Sequence, residues 1–229
     1  MFSLQAVGDS ALKVNFPGVV SPELNAEIQG FCMKLEELAI VGVVEWVPAF
    51  DSVTIYYEPH KIKYKAIAEK VKGLRENSLP EKTAKSRIFH VPVFYGNEYG
   101  PDLERVAAFN KLDISDVVEM HQKPEYLVYM IGFLPGFPYL GGLDRRIATP
   151  RLKEPRKSMA AGSVGIAHEQ TGIYPVESPG GWNIIGKTPI PIFDKNAEDA
   201  FLFQAGDRIR FYRVSKTEFE QIITQTENG

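Results

Sequence analysis

Between Gly132 and Pro191 a glycine or proline returns every few residues, so no long helix can cross the middle of this chain. Short strands and ordered loops of a barrel-like sheet are what remain. The flanks of that region agree. "RIFHVPVFY" reads as a strand in which Pro92 implies an edge or a bulge, two helical stretches follow around 102–110 and 113–121, and "EYLVYMIGF" is another strand. "DRIRFYRV" is a late strand and "SKTEFEQII" a capped terminal helix.

Residues 1 to 76 have a different texture. "FSLQAVG" and "ALKVNF" flank the turn residues Gly8 and Asp9 as a hairpin. Ser21-Pro22-Glu23 then supplies an N-cap, a proline at the first helical position and an early acid. Leu24, Ile28, Phe31, Leu35 and Leu38 follow as one apolar helix stripe. Two more strands, "VGVVEWVPAF" and "SVTIYYEP", precede a second helix with Tyr64, Ile67, Val71 and Leu74 on one face. The order strand, strand, helix, strand, strand, helix suits an antiparallel sheet with both helices on one side, hence an α+β chain. "ENSLPEKTAK" has no apolar period and marks a linker, placed at 77–85, between a domain of residues 1–76 and one of residues 86–229.

A net charge of −3 gives no field that would gather nucleic acid or an acidic membrane. Cys32 is the single cysteine, so no intrachain disulfide forms, which fits a reducing cytosol. The first residues, "MFSLQAVGDSALKV", lack the basic and apolar regions of a signal peptide, and no apolar run reaches the ~20 residues that span a bilayer. The expectation is a cytoplasmic protein with neither nucleic-acid nor membrane partners.

"GWNIIGKT", Gly181 to Thr188, matches the phosphate-loop pattern G-x-x-x-x-G-K-[ST] letter for letter. That loop needs a strand before it and a helix immediately after it, and here Pro189 and Pro191 follow instead. Trp182, Ile184 and Ile185 are bulky strand formers where backbone must approach phosphate closely. The stretch therefore reads as a strand, Trp182 to Gly186, ending at a proline-marked turn. "AGSVG" around Ser163 lacks the first glycine of a nucleophile elbow and has no suitably placed histidine after it. His60, His90, His121 and His168 stand far apart, without metal-ligand spacing. The cationic segment "LDRRIATPRLKEPRK" is more suggestive: Arg145, Arg146, Arg151, Lys153, Arg156 and Lys157 outnumber its acids, and arginine forks grip carboxylate or phosphate at two points.

"GDSALKVNF", "HVPVFYGNEYGPDL", "GFLPGFPYLGGLD" and "ATPRLKEPRKSMAAGSVGIAHEQTGIYPVESPGGWNIIGKTP" together resemble the B-subunit family of the bacterial ATP-dependent 5-oxoprolinase. The sporulation-kinase inhibitor KipI and the subunit-1 region of allophanate hydrolase or urea carboxylase are in the same family. The resemblance covers nearly the whole chain, and its long central motif is specific. It implies an N-terminal ferredoxin-like α/β sandwich followed by a cyclophilin-like β-barrel. Where the family tends to have arginine, Val-Pro and small residues, this chain has Lys187, Met159-Ala160 and His168-Glu169.

The resemblance also implies an activity: hydrolysis of 5-oxo-L-proline to L-glutamate by a complex that uses ATP with magnesium, this chain being inactive alone. The partners would be 5-oxoprolinase subunits A and C, the latter from the allophanate hydrolase subunit 2 family. Two alternatives accompany it, inhibition of a sensor histidine kinase in the manner of KipI, and allophanate or urea-derived chemistry. Substrate contacts are expected from Arg151 and Arg156 for carboxylate or phosphate, from Gln170, Thr171, Tyr174 and Ser178 for neutral hydrogen bonds, and from Trp182 as a wall. Arg156 is expected to be replaceable without loss of fold, as a pocket residue. No catalytic residue, metal ligand or tightly bound cofactor is assigned.

Overall fold

The computed structural model describes residues 2–74 and 86–227, and the linker expected at 77–85 lies outside the described residues. The chain divides into two compact units, Met1–Ser86 and Arg87–Gly229.

The first unit runs β1 (Ser3–Val7), β2 (Ala11–Asn15), α1 (Pro22–Leu38), β3 (Val43–Pro48), β4 (Ser52–Tyr57) and α2 (Tyr64–Gly73). Its sheet is antiparallel in the order β1-β2-β4-β3. Strands β2 and β3 thus run the same way with β4 between them, a split βαβ unit. This is the ferredoxin-like arrangement with its last strand moved to the front. Local chemistry sets the elements: Gly8 turns the hairpin at φ +60°, and the Ser21 hydroxyl accepts the Leu24 amide at 3.2 Å to cap α1. Leu24, Ile28, Phe31 and Leu35 are buried against Leu12, Val14, Val53 and Ile55. Leu38, expected on the same stripe, is exposed because the helix ends there, Ala39 turning the chain with φ +43°. Burial among these side chains pushes the Cys32 thiol up to about 12.

The second unit contains β5 (Ile88–Tyr95), α3 (Leu103–Asn110), α4 (Ile114–Gln122), β6 (Tyr126–Ile131), β7 (Pro138–Gly141), β8 (Arg156–Met159), β9 (Ser163–Ala167), β10 (Gln170–Ile173), β11 (Ser178–Gly180), β12 (Asn183–Lys187), β13 (Arg208–Arg213) and α5 (Lys216–Glu227). Seven strands close a barrel in the order β10-β7-β6-β13-β5-β12-β9, while β8 and β11 pair apart from it. Only β5 and β13 run parallel among the barrel pairs. Every barrel strand sends apolar residues inward: Val91, Val93, Tyr126, Val128, Leu140, Val164, Ile166, Ile173, Ile185, Ile209 and Phe211 are all buried in one cluster. Pro92 sits in neither an edge strand nor a bulge. It is tolerated because β12 joins β5 only at Phe94 and Tyr95, so the side of Pro92 away from β13 has no ladder to serve.

The last turn of α4 inserts a fully buried histidine among these strands. The Tyr95 hydroxyl lies 2.8 Å from His121 Nδ1, and His121 Nε2 lies 2.9 Å from Thr171 Oγ1. Thr171 Oγ1 in turn donates to the Gly165 carbonyl at 2.9 Å, so it can only accept from the imidazole. His121 therefore carries its proton on Nε2 and accepts from Tyr95. Burial keeps the ring neutral, lowering its pKa to about 3. At the C-terminus Ser215 and Glu218 form a reciprocal capping box, each accepting the other's amide, at 3.3 Å and 2.7 Å.

Candidate ligand-binding site

Inward residues alternate with outward ones, and the outward row across the barrel wall is unusual. Tyr139 of β7 stands opposite Gly172 of β10, Gly172 opposite Gly165 of β9, and Gly165 opposite Ile184 of β12. Two adjacent glycines thus leave a trough between a tyrosine and an isoleucine. Aromatic rings fill it. A Cβ on Gly172 would come within 2.9 Å of the Phe137 ring, and one on Gly165 within 3.1 Å of the Trp182 side chain. The result is a second buried cluster, outside the barrel, of Phe137, Met159, Ala167, Tyr174, Trp182 and Ile184. Phe137 meets Tyr174 and Trp182 edge-on, each at 5.3 Å between centroids, and Tyr139 meets Trp182 at 6.0 Å.

The small β8–β11 sheet closes one side of this cluster. Met159 of β8 lies opposite Ser178 of β11 and packs among the rings. Gly180, two residues on and past a shift in register, lies so close to the Tyr174 hydroxyl that no Cβ fits. Ser178 is 7% exposed, and among the described residues its hydroxyl has no hydrogen-bond partner.

Arg151 stands on the other side. Its guanidinium carbon is 5.9 Å from the Trp182 ring, and the side chain is exposed. Both chain neighbours are tied down: the Pro150 carbonyl accepts from Asn183 Nδ2 at 2.9 Å, and the Leu152 amide donates to the Gly181 carbonyl at 2.8 Å. Burial raises the pKa of Tyr139 and of Tyr174, and in both the charge on Arg151 opposes that rise. The other arginines of the cationic segment are engaged with acids. Arg145 pairs with Glu169 at 3.2 Å, Arg146 with Asp144, and Arg156 with Asp102. Among the described residues Arg151 has no carboxylate partner.

The structure thus gathers four of the residues expected to touch a ligand, Arg151, Tyr174, Ser178 and Trp182, around one aromatic cluster. Gln170 is half-buried at the start of β10, opposite Ala167 of that cluster. Thr171 points the other way, into the barrel, where its hydroxyl is bonded to His121 and Gly165. Arg156 gives both terminal nitrogens to Asp102. Phe137 and Tyr139 join the wall without having been singled out by motif. Their two-residue spacing in "GFPYLGG" is the strand-period signal that marks one shared face.

The stretch Gly181–Thr188 carries β12, paired with β9 and β5, and no helix follows it before α5. Lys187 points its ammonium at the Tyr99 ring, 5.4 Å from the centroid. There is no phosphate loop here. Among the described residues no group of three or more His, Cys, Asp or Glu side chains could hold a metal ion, and no helix is long and apolar enough to cross a membrane.

A closed barrel in a chain that also carries a split βαβ unit has known counterparts. Residues 2–203 match the family model of the carboxyltransferase domain, subdomain C and D, and the chain belongs to that family. Within it, the chain is 39% identical over 229 residues to the 5-oxoprolinase B subunit of Bacillus subtilis (strain 168), with 95% of each chain covered. It is 38% identical over 205 residues to the 5-oxoprolinase B subunit of Haemophilus influenzae, covering 90% of this chain and 94% of that one. The crystal structure of the Kluyveromyces lactis urea amidolyase superposes with a TM-score of 0.84 at 25% identity, covering 100% of this chain and 16% of that much longer one.

Proposed function

We propose that this chain is the B subunit of an ATP-dependent 5-oxoprolinase, which opens the lactam of 5-oxo-L-proline to give L-glutamate. The observation that carries the reading is the match, over nearly the full length of both chains, to bacterial 5-oxoprolinase B subunits. An arginine without a carboxylate partner, beside an aromatic wall, suits a small ring that bears a carboxylate. A lactam carbonyl is a poor electrophile, and phosphorylation of its oxygen is the activation that ATP with magnesium supplies. Gly181–Thr188 offers no cradle for that nucleotide, so the phosphoryl chemistry falls to the partner subunits A and C, the second of them of the allophanate hydrolase subunit 2 kind. This chain binds and orients, and alone it is inactive. Its place is the cytoplasm.

Reconstitution tests the reading. The two purified partner subunits should release glutamate from 5-oxo-L-proline, ATP and magnesium only when this chain is added. Turnover that is independent of this chain overturns it. So does a preparation that leaves glutamate release unchanged but slows autophosphorylation of a sensor histidine kinase, or that acts on allophanate instead.

A further inference from the structure

The loop between β6 and β7 holds an exposed aromatic ring on a strained backbone. The Leu134 amide donates to the Gly132 carbonyl at 2.8 Å, which makes Phe133 the centre of a γ-turn, and its φ of +68° is that of the strained form. A bulky residue with positive φ is an outlier, in a place that glycine would occupy freely. Packing does not account for it, because Phe133 is 64% exposed and meets the Phe137 ring edge-on at 5.7 Å between centroids. The loop is nonetheless fixed: the Gly132 amide donates to the Phe137 carbonyl and the Phe137 amide to the Leu134 carbonyl, both at 3.1 Å. Strain of this kind collects where a ligand or a partner acts.

A second exposed ring lies beside the same loop. A Cβ on Gly136 would stand 3.2 Å from both Phe193 Cβ and the Phe201 ring. Phe193 and Phe201 form an isolated bridge with their rings stacked at 5.3 Å, and the Asp194 amide donates to the Ala200 carbonyl at 3.0 Å. Phe201 is still 46% exposed. Charge is uneven around the two rings. Gly132 to Gly142 holds no charged residue, whereas the segment from Phe193 to Phe201 carries Asp194, Glu198 and Asp199 against Lys195, all four exposed.

We propose that Phe133 and Phe201 anchor a protein–protein interface whose occupant is a different subunit of the complex, docked through an apolar surface bordered by lysine or arginine. Exposed rings held by local backbone bonds lose little freedom on association, which is what binding anchors require. The acids select the occupant. A second copy seated on the same patch about a two-fold axis would set Asp194, Glu198 and Asp199 against their own counterparts, and like charges oppose that contact. A basic rim is drawn to them instead. The identification of that subunit as A or C rests on the function proposed above, whereas the surface rests on the geometry alone.

Subunits A and C, purified separately, would be titrated by biolayer interferometry against the immobilised full chain, each alone and both together. Phe133→Gly removes the ring and relieves the turn, and it should weaken binding by at least about tenfold while the chain stays folded by circular dichroism. Phe201→Ser should do the same. Glu198→Lys should weaken binding severalfold at low salt, the difference shrinking as salt is raised. Phe109→Ser removes an exposed ring from α3 instead and should bind as the unaltered chain does. Binding that depends on Phe133 and Phe201, in a complex that releases no glutamate from 5-oxo-L-proline, upholds the interface and removes the functional reading. Normal glutamate release and undiminished binding by the Phe133→Gly, Phe201→Ser double variant keep the functional reading and overturn the interface. It is overturned equally if neither subunit binds the unaltered chain, if Phe109→Ser weakens binding as much, or if the chain forms a dimer of its own that Phe133→Gly abolishes.

Discussion

Asp102 takes both terminal nitrogens of Arg156 at 2.7 Å and, with the same carboxylate, the Ile184 amide at 2.7 Å. The start of α3, β8 and β12 are thereby tied at one buried acid, 54 residues before its arginine in the chain. Arg156 is thus a structural residue, against the expectation that it could be replaced freely. Arg156→Ala should cost roughly 2–3 kcal/mol, below the range for fully buried pairs because Arg156 is about a third exposed. Urea unfolding followed through Trp182 in a Trp46→Phe background measures it. A loss under ~0.5 kcal/mol, the surface value, contradicts the assignment.

The neutral His121 makes the second unit sensitive to acid. Its folded pKa, about 3, lies below the ordinary value of 6.5, so between those values the unfolded chain binds the extra proton. The contribution is complete above pH 6.5 and is lost as pH falls toward 3, at up to about 1.4 kcal/mol per pH unit. From pH 7 to pH 5 this group alone should remove about 2 kcal/mol. His121→Gln should flatten that part of the pH profile, and an equally steep profile in the variant refutes the assignment.

Gly172 and Gly73 should respond to alanine in opposite directions. At Gly172 the new methyl meets Phe137 and the Pro138 carbonyl, both at 2.9 Å, and the expected cost is ~1–3 kcal/mol. At Gly73, the last residue of α2, the methyl meets nothing among the described residues and φ is not positive, so alanine should add up to ~1 kcal/mol of helix propensity. Thermal unfolding of each variant decides the signs.

What the sequence disclosed follows the distance over which each signal acts. The Ser21 cap, the Leu24–Leu35 stripe and the Ser215–Glu218 box were legible because each is settled within one or two helical turns. The barrel's parity was not. Thr171 and Ser178 are alike as letters; the pairing of β10 with β7 and β9 turns one hydroxyl into the core, and the pairing of β11 with β8 sets the other opposite Met159. Arg151 and Arg156 belong to one cationic run, and what separates them is Asp102, an acid that no local pattern connects to either. The phosphate-loop match could be set aside from Pro189 and Pro191 alone, because the helix it requires would have had to begin there.

The β9–β10 turn holds one residue at odds with its backbone. His168 has φ +53°, in a two-residue connection where Ala167 faces Gln170 directly. Histidine is among the side chains that tolerate this region, whereas a β-branched one does not. His168→Gly should raise stability by up to ~1 kcal/mol, the relief of strain outweighing the added chain entropy. His168→Val should lower it by at least ~1 kcal/mol. Equal melting temperatures for the two variants would falsify the strain argument.

Strands β9 and β10 assign neighbouring residues to separate tasks: Val164, Ile166, Thr171 and Ile173 hold the barrel together, while Gly165, Ala167 and Gly172 support the outer rings. The barrel interior and the outer ring cluster are therefore carried on alternate letters of the same few strands. Selection can alter Arg151, Ser178 or the loops around them without repacking the lumen. The outer face can in this way change while the interior stays under a single constraint.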